Sequence, residues 1–225
     1  MLPGICGIMA GLGQGLLVEQ TYSAGAAATS FSGASFGPDT TGRGNIFLVW
    51  HGDRSVSPGL TPSLTINGSA TGVARYQPHS TGDDTSGNDA CGTAIFTAAP
   101  GGTSGDIAVN WGGGIVTLVI LRTVGYSITP YTTWGNSTGS ANTNINVSTN
   151  NSAMIGIAAA GQNSNNLVWT GITERGQTAL MGANNVESWA FDYKVATNAS
   201  RNVQVSPWSS AQGSNSWSGI VLAPT

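Results

Sequence analysis

Two glutamates on either side of a polar segment are the first candidates for chemistry. Glycoside hydrolysis needs two carboxylates flanking one bond, about 5 to 10 Å apart. Glu174 and Glu187 bracket residues 177–185, so pairing of the flanking strands as a hairpin would place both at its loop end. Because Arg175 follows Glu174, an ion pair that fixes the loop is the simpler interpretation. A glycan hydrolase is therefore only the third functional hypothesis.

A histidine and an aspartate form a second candidate pair. His51 and Asp53 follow the apolar stretch NIFLVW, and their i, i+2 spacing puts both on one side of a strand. This arrangement suits a general base and its orienting carboxylate. No G-x-S-x-G turn supplies a serine nucleophile, so a structural His–Asp hydrogen bond is the simpler alternative. We expect no catalytic residues and no enzymatic activity.

An acidic loop, GDDTSGND at residues 82–89, is the candidate for metal binding through Asp83, Asp84 and Asp89. Calcium takes six to eight oxygen ligands, and this loop supplies several. The spacing matches no calcium-loop motif, so a solvated acidic loop is the alternative. The two cysteines, Cys6 and Cys91, suggest two buried free thiols. We expect no cofactor.

Four aromatic residues lie in or beside segments rich in Asn, Ser and Gly: Tyr131, Trp134, Trp208 and Trp217. An exposed ring flanked by amides and hydroxyls can stack on the apolar face of a sugar. Packing in the core or in a subunit interface is the alternative for such residues. They define a possible glycan-binding site.

The stretch WGGGIVTLVILRTVGY, residues 111–126, is the element that must position everything else. Its apolar run is too short to cross a membrane, is rich in β-branched residues and is bounded by glycines, which predicts a central strand. Both alternating faces are apolar, so one meets a sandwich core and the other must be covered too. A loop, the N-terminal segment or another subunit could cover it.

From residue 45 onward, turn signals recur at the spacing typical of a β-sandwich. Asn67-Gly68 and Pro100-Gly101-Gly102 each predict a hairpin, and no stretch has sustained helical periodicity. In residues 186–196 the odd positions, including Trp189 and Tyr193, form an aromatic face that belongs in the core. The predicted strands are 45–51, 63–67, 70–77, 91–98, 105–110, 115–124, 143–148, 153–160, 166–174, 186–196, 202–206 and 216–222.

Residues 1–44 differ from the rest and are predicted to be an N-terminal arm and connector, followed by a sandwich domain at 45–225. The first twenty residues contain one charge, Glu19, and many glycines, unlike a signal peptide. One short strand is expected near residues 29–36. The arm either lies on its own domain or inserts into a neighbouring subunit. In the second case its contact residues are Leu2, Ile5, Ile8, Leu12, Leu16 and Leu17.

The composition favours a protein packed among neighbours. Charged residues make up 8% of the 225 residues, against roughly 25% in an ordinary soluble domain. Little self-repulsion therefore opposes association with copies of the chain. A net charge of −3 with scattered arginines lacks the basic patch that nucleic-acid binding needs.

The opening Met1-Leu2-Pro3-Gly4-Ile5, the small-residue stretch after it and several later blocks resemble minor virion proteins of tailed bacteriophages. The blocks are NIFLVWHGD at 45–53, GTAIFTAAPGGTSGDIAVNW at 92–111, GITERGQT at 171–178, YKVATNASRNVQVSPWSS at 193–210 and SWSGIVLAP at 216–224. The resemblance implies a jelly-roll-like antiparallel β-sandwich with an extended N-terminal arm, and no catalytic residues to carry over.

The resemblance also implies a place in a phage particle, as a capsid decoration or tail-associated subunit. Its partners would be other virion proteins, held through the arm, and copies of itself, with a trimer expected by analogy with phage spikes and knobs. A module that binds host surface glycans is the alternative function. The chain has no heptads and no sequence repeats, which argues against a fibre shaft. No membrane insertion is expected.

Overall fold

The computed structural model describes residues 14–22, 29–53, 61–77, 90–111, 115–136, 142–160, 167–180, 185–206 and 215–225. Within these ranges the regular elements are strands in several antiparallel sheets. The predicted all-β sandwich class is therefore confirmed. Among these residues no helix is long and apolar enough to cross a membrane.

Seventeen strands follow one another along the described chain. They are β1 (Gly15–Tyr22), β2 (Ser30–Ser35), β3 (Arg43–Asp53), β4 (Ser63–Ile66), β5 (Ser69–Thr71), β6 (Val73–Gln77), β7 (Ala90–Ala98), β8 (Ser104–Asn110), β9 (Ile115–Val124), β10 (Tyr126–Asn136), β11 (Asn142–Val147), β12 (Ser152–Ala160), β13 (Val168–Thr170), β14 (Glu174–Leu180), β15 (Asn185–Val195), β16 (Asn198–Ser206) and β17 (Asn215–Pro224).

The strands form four sheets, two from each half of the chain. We name them by position: the first inner sheet has the order β1-β9-β3-β7-β6, and the first outer sheet β2-β8-β4-β5. The second inner sheet has the order β10-β17-β12-β15-β14, and the second outer sheet β11-β16-β13. No hydrogen-bonded sheet mixes strands from the two halves.

The two halves share one topology. Replacing β1, β9, β3, β7 and β6 by β10, β17, β12, β15 and β14 converts the order of the first inner sheet into that of the second. The same replacement converts β2-β8-β4 into β11-β16-β13, and β5 alone has no counterpart. In each half the first four strands alternate between the inner and the outer sheet, as in a jelly roll. The chain therefore contains two jelly rolls in tandem.

Three apolar cores hold the four sheets together. The first core lies between the first inner and outer sheets and includes Phe47, Val49 and Leu118. The second core lies between the second inner and outer sheets and includes Met154 and Val221. The central core joins the inner sheets through Ile46, Leu48, Trp50, Val119, Ile155, Ile157, Trp189, Phe191 and Ile220, among others. The molecule is thus a stack of four layers.

The inner sheets meet in an arrangement related by an approximate two-fold axis. Thr93 of β7 contacts Ser216 and Ser218 of β17, and Glu187 of β15 faces Thr117 of β9. Replacing β7 by its equivalent β15, and β17 by its equivalent β9, converts the first contact into the second. Because each half presents the same sheet to the other, the pairing has the form of a symmetric dimer interface within one chain.

A single residue, Gly125, links the two jelly rolls. Its φ of 73° lies in the left-handed region that glycine occupies without strain, and this bend lets the chain leave β9 and enter β10 in the other inner sheet. Its carbonyl accepts hydrogen bonds from Gln14 Nε2 at 3.4 Å and Thr225 N at 3.0 Å. We call this end of the molecule the linker pole.

The opposite end is the loop pole, where β3 and β12 end and β7, β9, β15 and β17 begin. Eight segments outside the described residues are flanked by strand ends at this pole. They are 23–28, 54–60, 78–89, 112–114, 137–141, 161–166, 181–184 and 207–214. The connections at the linker pole, by contrast, all fall within the described ranges.

Several local predictions are confirmed. The strand 115–124 has the predicted bounds, and it lies second in its sheet with both faces covered. The cover on its second face is the inner sheet of the second jelly roll, which belongs to the same chain. Asn67 and Gly68 have φ of 50° and 80° and form the tight turn of the β4–β5 hairpin.

Other local predictions are wrong, each for an identifiable reason. The Pro100-Gly101-Gly102 turn does not close a hairpin, because β7 and β8 belong to different sheets. No strand was predicted between residues 125 and 142, but this stretch contains β10, an edge strand whose register shifts on both sides of Pro130, where proline is tolerated. Part of the predicted loop 177–185 belongs to β14.

The first strands also lie further forward in the chain than predicted. β1 is paired with β9 in the first inner sheet and β2 with β8 in the first outer sheet, so both strands are part of the first jelly roll. The short strand expected near residues 29–36 is confirmed as β2. The sequence of β1, GLLVEQTY, does not alternate between apolar and polar residues, which conceals the strand.

We expect Gly125→Ala to lower the free energy of unfolding by about 1–2 kcal/mol, the usual cost of a left-handed conformation in a residue with a Cβ. Denaturant unfolding measures the change. Gly101→Ala is the matched control in an open turn and should stay within about 0.5 kcal/mol of the parent chain. Equal effects at both positions would contradict the role given to the linker.

Candidate functional site

A polar layer closes the central core near the loop pole. Its first row runs across β7, β3 and β9 as Thr93, Trp50 and Thr117, which are paired in register. Its second row is the equivalent one in the other jelly roll: Glu187 of β15, Ala159 of β12 and Ser216 of β17. Polar residues are rare at such depth unless they are hydrogen bonded, which makes this layer the most unusual part of the described structure.

One side of the layer is a satisfied hydroxyl cluster. Thr93 Oγ1 lies 2.7 Å from Ser216 Oγ and 2.9 Å from Ser218 Oγ. Ser216 Oγ donates to the carbonyl of Gln77 at 2.9 Å. These three buried side chains connect β7 of the first jelly roll to β17 of the second.

The other side of the layer contains Glu187, whose side chain is 0% exposed. Neither of its carboxylate oxygens makes a hydrogen bond of good geometry with a described residue, although the Thr117 hydroxyl faces the carboxyl. Burial raises the pKa of Glu187 well above its ordinary value, and the Thr117 hydroxyl offsets this only in part. The environment therefore favours the neutral form of this carboxyl over the charged one.

Two tryptophans fill the space between these groups. Trp50 Nε1 donates to the carbonyl of Ala158 at 2.9 Å, which ties β3 to β12 across the central core. The rings of Trp50 and Trp189 meet edge to face, with centroids 5.8 Å apart. Aromatic rings thus pack beside the polar groups of the layer, and the layer joins the two inner sheets in the interior of the molecule.

The structure separates the two glutamates proposed as an acid and base. Glu174 of β14 pairs with Ala190 of β15, three residues beyond Glu187, so the two glutamates lie about 10 Å apart along the hairpin at about 3.3 Å per residue. Glu174 is exposed and Glu187 is sealed in the central core. Arg175 interacts with Phe191 and Asp192 instead of Glu174. This geometry does not suit glycoside hydrolysis.

The other candidate for catalysis also lies inside the fold. His51 is buried, and its ring lies 5.3 Å from that of Trp111 at the loop-pole end of the first core. Asp53 ends β3, but its side chain lies outside the described part. Buried placement beside an aromatic ring agrees with the structural interpretation of this histidine.

The proposed sugar-binding aromatics are mostly core residues. Trp134 and Trp217 are 7% and 1% exposed and belong to the second core. A Cβ added at Gly219 would come within 2.0 Å of the Trp134 ring, so the ring lies directly on the strand. Tyr131 is partly buried, and its hydroxyl bonds to Ser152 Oγ at 2.8 Å. Trp208 lies outside the described residues.

The remaining predicted contact residues are divided between the core and the segments outside the described ranges. Leu16 is buried in the central core of its own chain, whereas Leu17 is 39% exposed on the edge strand β1. The other proposed arm contacts, Leu2, Ile5, Ile8 and Leu12, lie outside the described residues. So do Cys6 and the proposed calcium ligands Asp83, Asp84 and Asp89, while Cys91 lies on β7 with its side chain undescribed.

Comparison with known proteins adds no identity: no family model, no curated protein and no solved structure matches the chain.

Sequence reasoning missed the polar layer, although one signal for it was present. The alternation along residues 186–196 places Glu187 on the same face as Trp189 and Phe191, and that face is buried as predicted. Tyr193 is an exception at 42% exposed, because Lys194 adopts a left-handed φ of 57° and breaks the alternation. The alternation of residues 186–196 therefore predicts that the Glu187 side chain faces the core.

We expect Thr93→Val to lower the free energy of unfolding by about 1–3 kcal/mol, because it removes the hydroxyl that Ser216 and Ser218 share. Thermal or denaturant unfolding measures this change. Thr97→Val, at a half-buried position on the same strand, is the control and should change stability by less than about 0.5 kcal/mol. An equally small change at Thr93 would show that the cluster contributes nothing.

Proposed function

We propose that the chain is a non-enzymatic structural protein of a bacteriophage particle, a capsid decoration or a tail-associated subunit. The observation that carries the proposal is the fusion of two jelly rolls through their inner sheets into one four-layer block. Such a block uses both faces of each inner sheet for packing between its layers. This design suits a building element.

The second outer sheet supports the proposal through the chemistry of its exposed face. Besides the apolar Val168 and Ala199, the exposed residues of this sheet are uncharged amides and hydroxyls, including Asn142, Asn144, Asn146, Asn198, Ser200 and Asn202. Asn202 Nδ2 donates to the side-chain oxygens of Asn142 and Asn144 at 2.6 and 3.1 Å. Because uncharged faces carry no repulsive field, they can lie against neighbouring subunits without the cost of desolvating charges.

The arm is proposed to attach the block to the particle. Leu2, Ile5, Ile8 and Leu12 precede β1, and the next apolar positions, Leu17 and Val18, are exposed on that edge strand. An exposed edge with apolar side chains is a ready surface for another chain. Other virion proteins are the proposed partners of the arm, and a trimer of the block is the proposed oligomer.

Particle composition tests the proposal directly. We expect mass spectrometry to find the chain in particles purified from the phage that encodes it, at a copy number that is a multiple of three. Light scattering of the purified protein should give three times the chain mass. Absence of the chain from washed particles would disprove the proposed function.

The role of the arm has its own test. Deleting residues 1–13 removes no described strand, so we expect unchanged strand content and thermal midpoint but loss of the protein from particles. Val168→Ser on the full chain, which removes an exposed apolar side chain from the second outer sheet, is the control for general loss of surface apolarity and should preserve incorporation. Normal incorporation of the deleted chain would show that the block attaches through another surface.

A further inference from the structure

The joint between the two jelly rolls contains one chemically asymmetric position. Equivalent strands place Thr93 and Glu187 at the same site of their respective inner sheets, opposite Ser216 and Thr117. Thr93 satisfies its partners with two short hydroxyl contacts. Glu187 brings a titratable group to the position where the other half has a neutral hydroxyl.

No described charge compensates Glu187. The Thr117 hydroxyl of β9 faces it across the joint, and its register partner on β12 is Ala159; neither residue is ionic. The described charged or titratable side chains on neighbouring strands interact elsewhere or are exposed. In the first jelly roll, Glu19 pairs with Arg122, Arg43 donates to carbonyls at the linker pole, and His51 packs on Trp111.

In the second jelly roll, Arg175 and Arg201 pair with Asp192. Glu174 and Lys194 are exposed.

We propose that Glu187 makes this joint a pH-sensitive latch: the neutral acid keeps the inner sheets closed near the loop pole, and its ionisation at higher pH loosens them. An ionised carboxylate without a partner is strongly disfavoured in a dry interior. Opening the joint at the loop pole is the shortest route by which water can reach it, since Glu187 lies two residues from the start of β15.

The direction in which pH changes folding stability follows from the difference in proton binding between the folded and the unfolded chain. Burial raises the folded-state pKa of Glu187 above its value in the unfolded chain. Its contribution to stability is therefore fully present below the unfolded pKa, declines as pH rises between the two values, and stays lost above the folded pKa. Over that interval each pH unit lowers the folding equilibrium constant up to tenfold.

Denaturant unfolding of the full chain at a series of pH values from about 5 to about 9 tests the latch. We expect the parent chain to lose up to tenfold in folding equilibrium constant per pH unit, and Glu187→Gln and Glu187→Thr to lose this slope. Glu187→Thr installs the residue found at the equivalent position. Glu174→Gln, an exposed glutamate on the neighbouring strand, is the matched control and should retain the parental slope.

Two measurements on the parent chain keep the test decisive should a variant fail to fold. Infrared spectroscopy near neutral pH should detect the carbonyl stretch of a protonated carboxylic acid, shifted by labelling glutamate with carbon-13. Hydrogen exchange of the parent chain, corrected for the intrinsic exchange rate, should show that opening of β9 and β15 accelerates with pH more than opening of β2 and β8 in the first outer sheet. Absence of the infrared band, or a slope that survives both substitutions, would overturn the latch.

Discussion

The fold depends on the need to cover two apolar faces of the same sheet. Along β3, Ile46, Leu48 and Trp50 face the central core while Phe47 and Val49 face the first core. β12 repeats this division between the central and second cores. An outer sheet covers one face of each inner sheet, and the inner sheet of the other half covers the second. Because each half lacks a cover of its own for that face, neither is complete by itself.

The joint near the two-fold axis cannot be chemically symmetric. Trp50 occupies the site that Ala159 occupies in the other half, since two indoles would compete for the same space. Close packing thus requires a large residue on one side and a small one on the other. The replacement of Thr93 by Glu187 at the next position is a second departure from symmetry. At these positions the sequences of the two halves differ, although the two halves share one strand topology.

Sequence reasoning predicted the fold class and most strands because alternation and turn residues are local signals. Ile115–Val124 and the Asn67-Gly68 turn were recognisable from their own residues. The tandem arrangement was not, because pairings such as β1 with β9 join residues about a hundred positions apart, and no local pattern encodes them. The same limit applies to the site: Glu174 and Glu187 are close in sequence, but the β14–β15 register separates them. Trp134 and Trp217 looked like loop residues because Gly, Ser and Asn flank them in the sequence. In the fold both are core residues, and the Trp134 ring packs directly on the backbone of Gly219.

The two poles give the molecule a direction. Gln14, Gly125 and Thr225 converge at the linker pole, so the chain enters the fold, crosses between its halves and leaves it at one point. Strand ends flanking eight connecting segments gather at the other pole, on both jelly rolls alike. Any scaffold that holds the residues preceding β1 therefore holds the linker pole and fixes the direction in which the whole block points. The strand ends of the loop pole then lie on the side away from the attachment, so changes there leave the attachment unaltered.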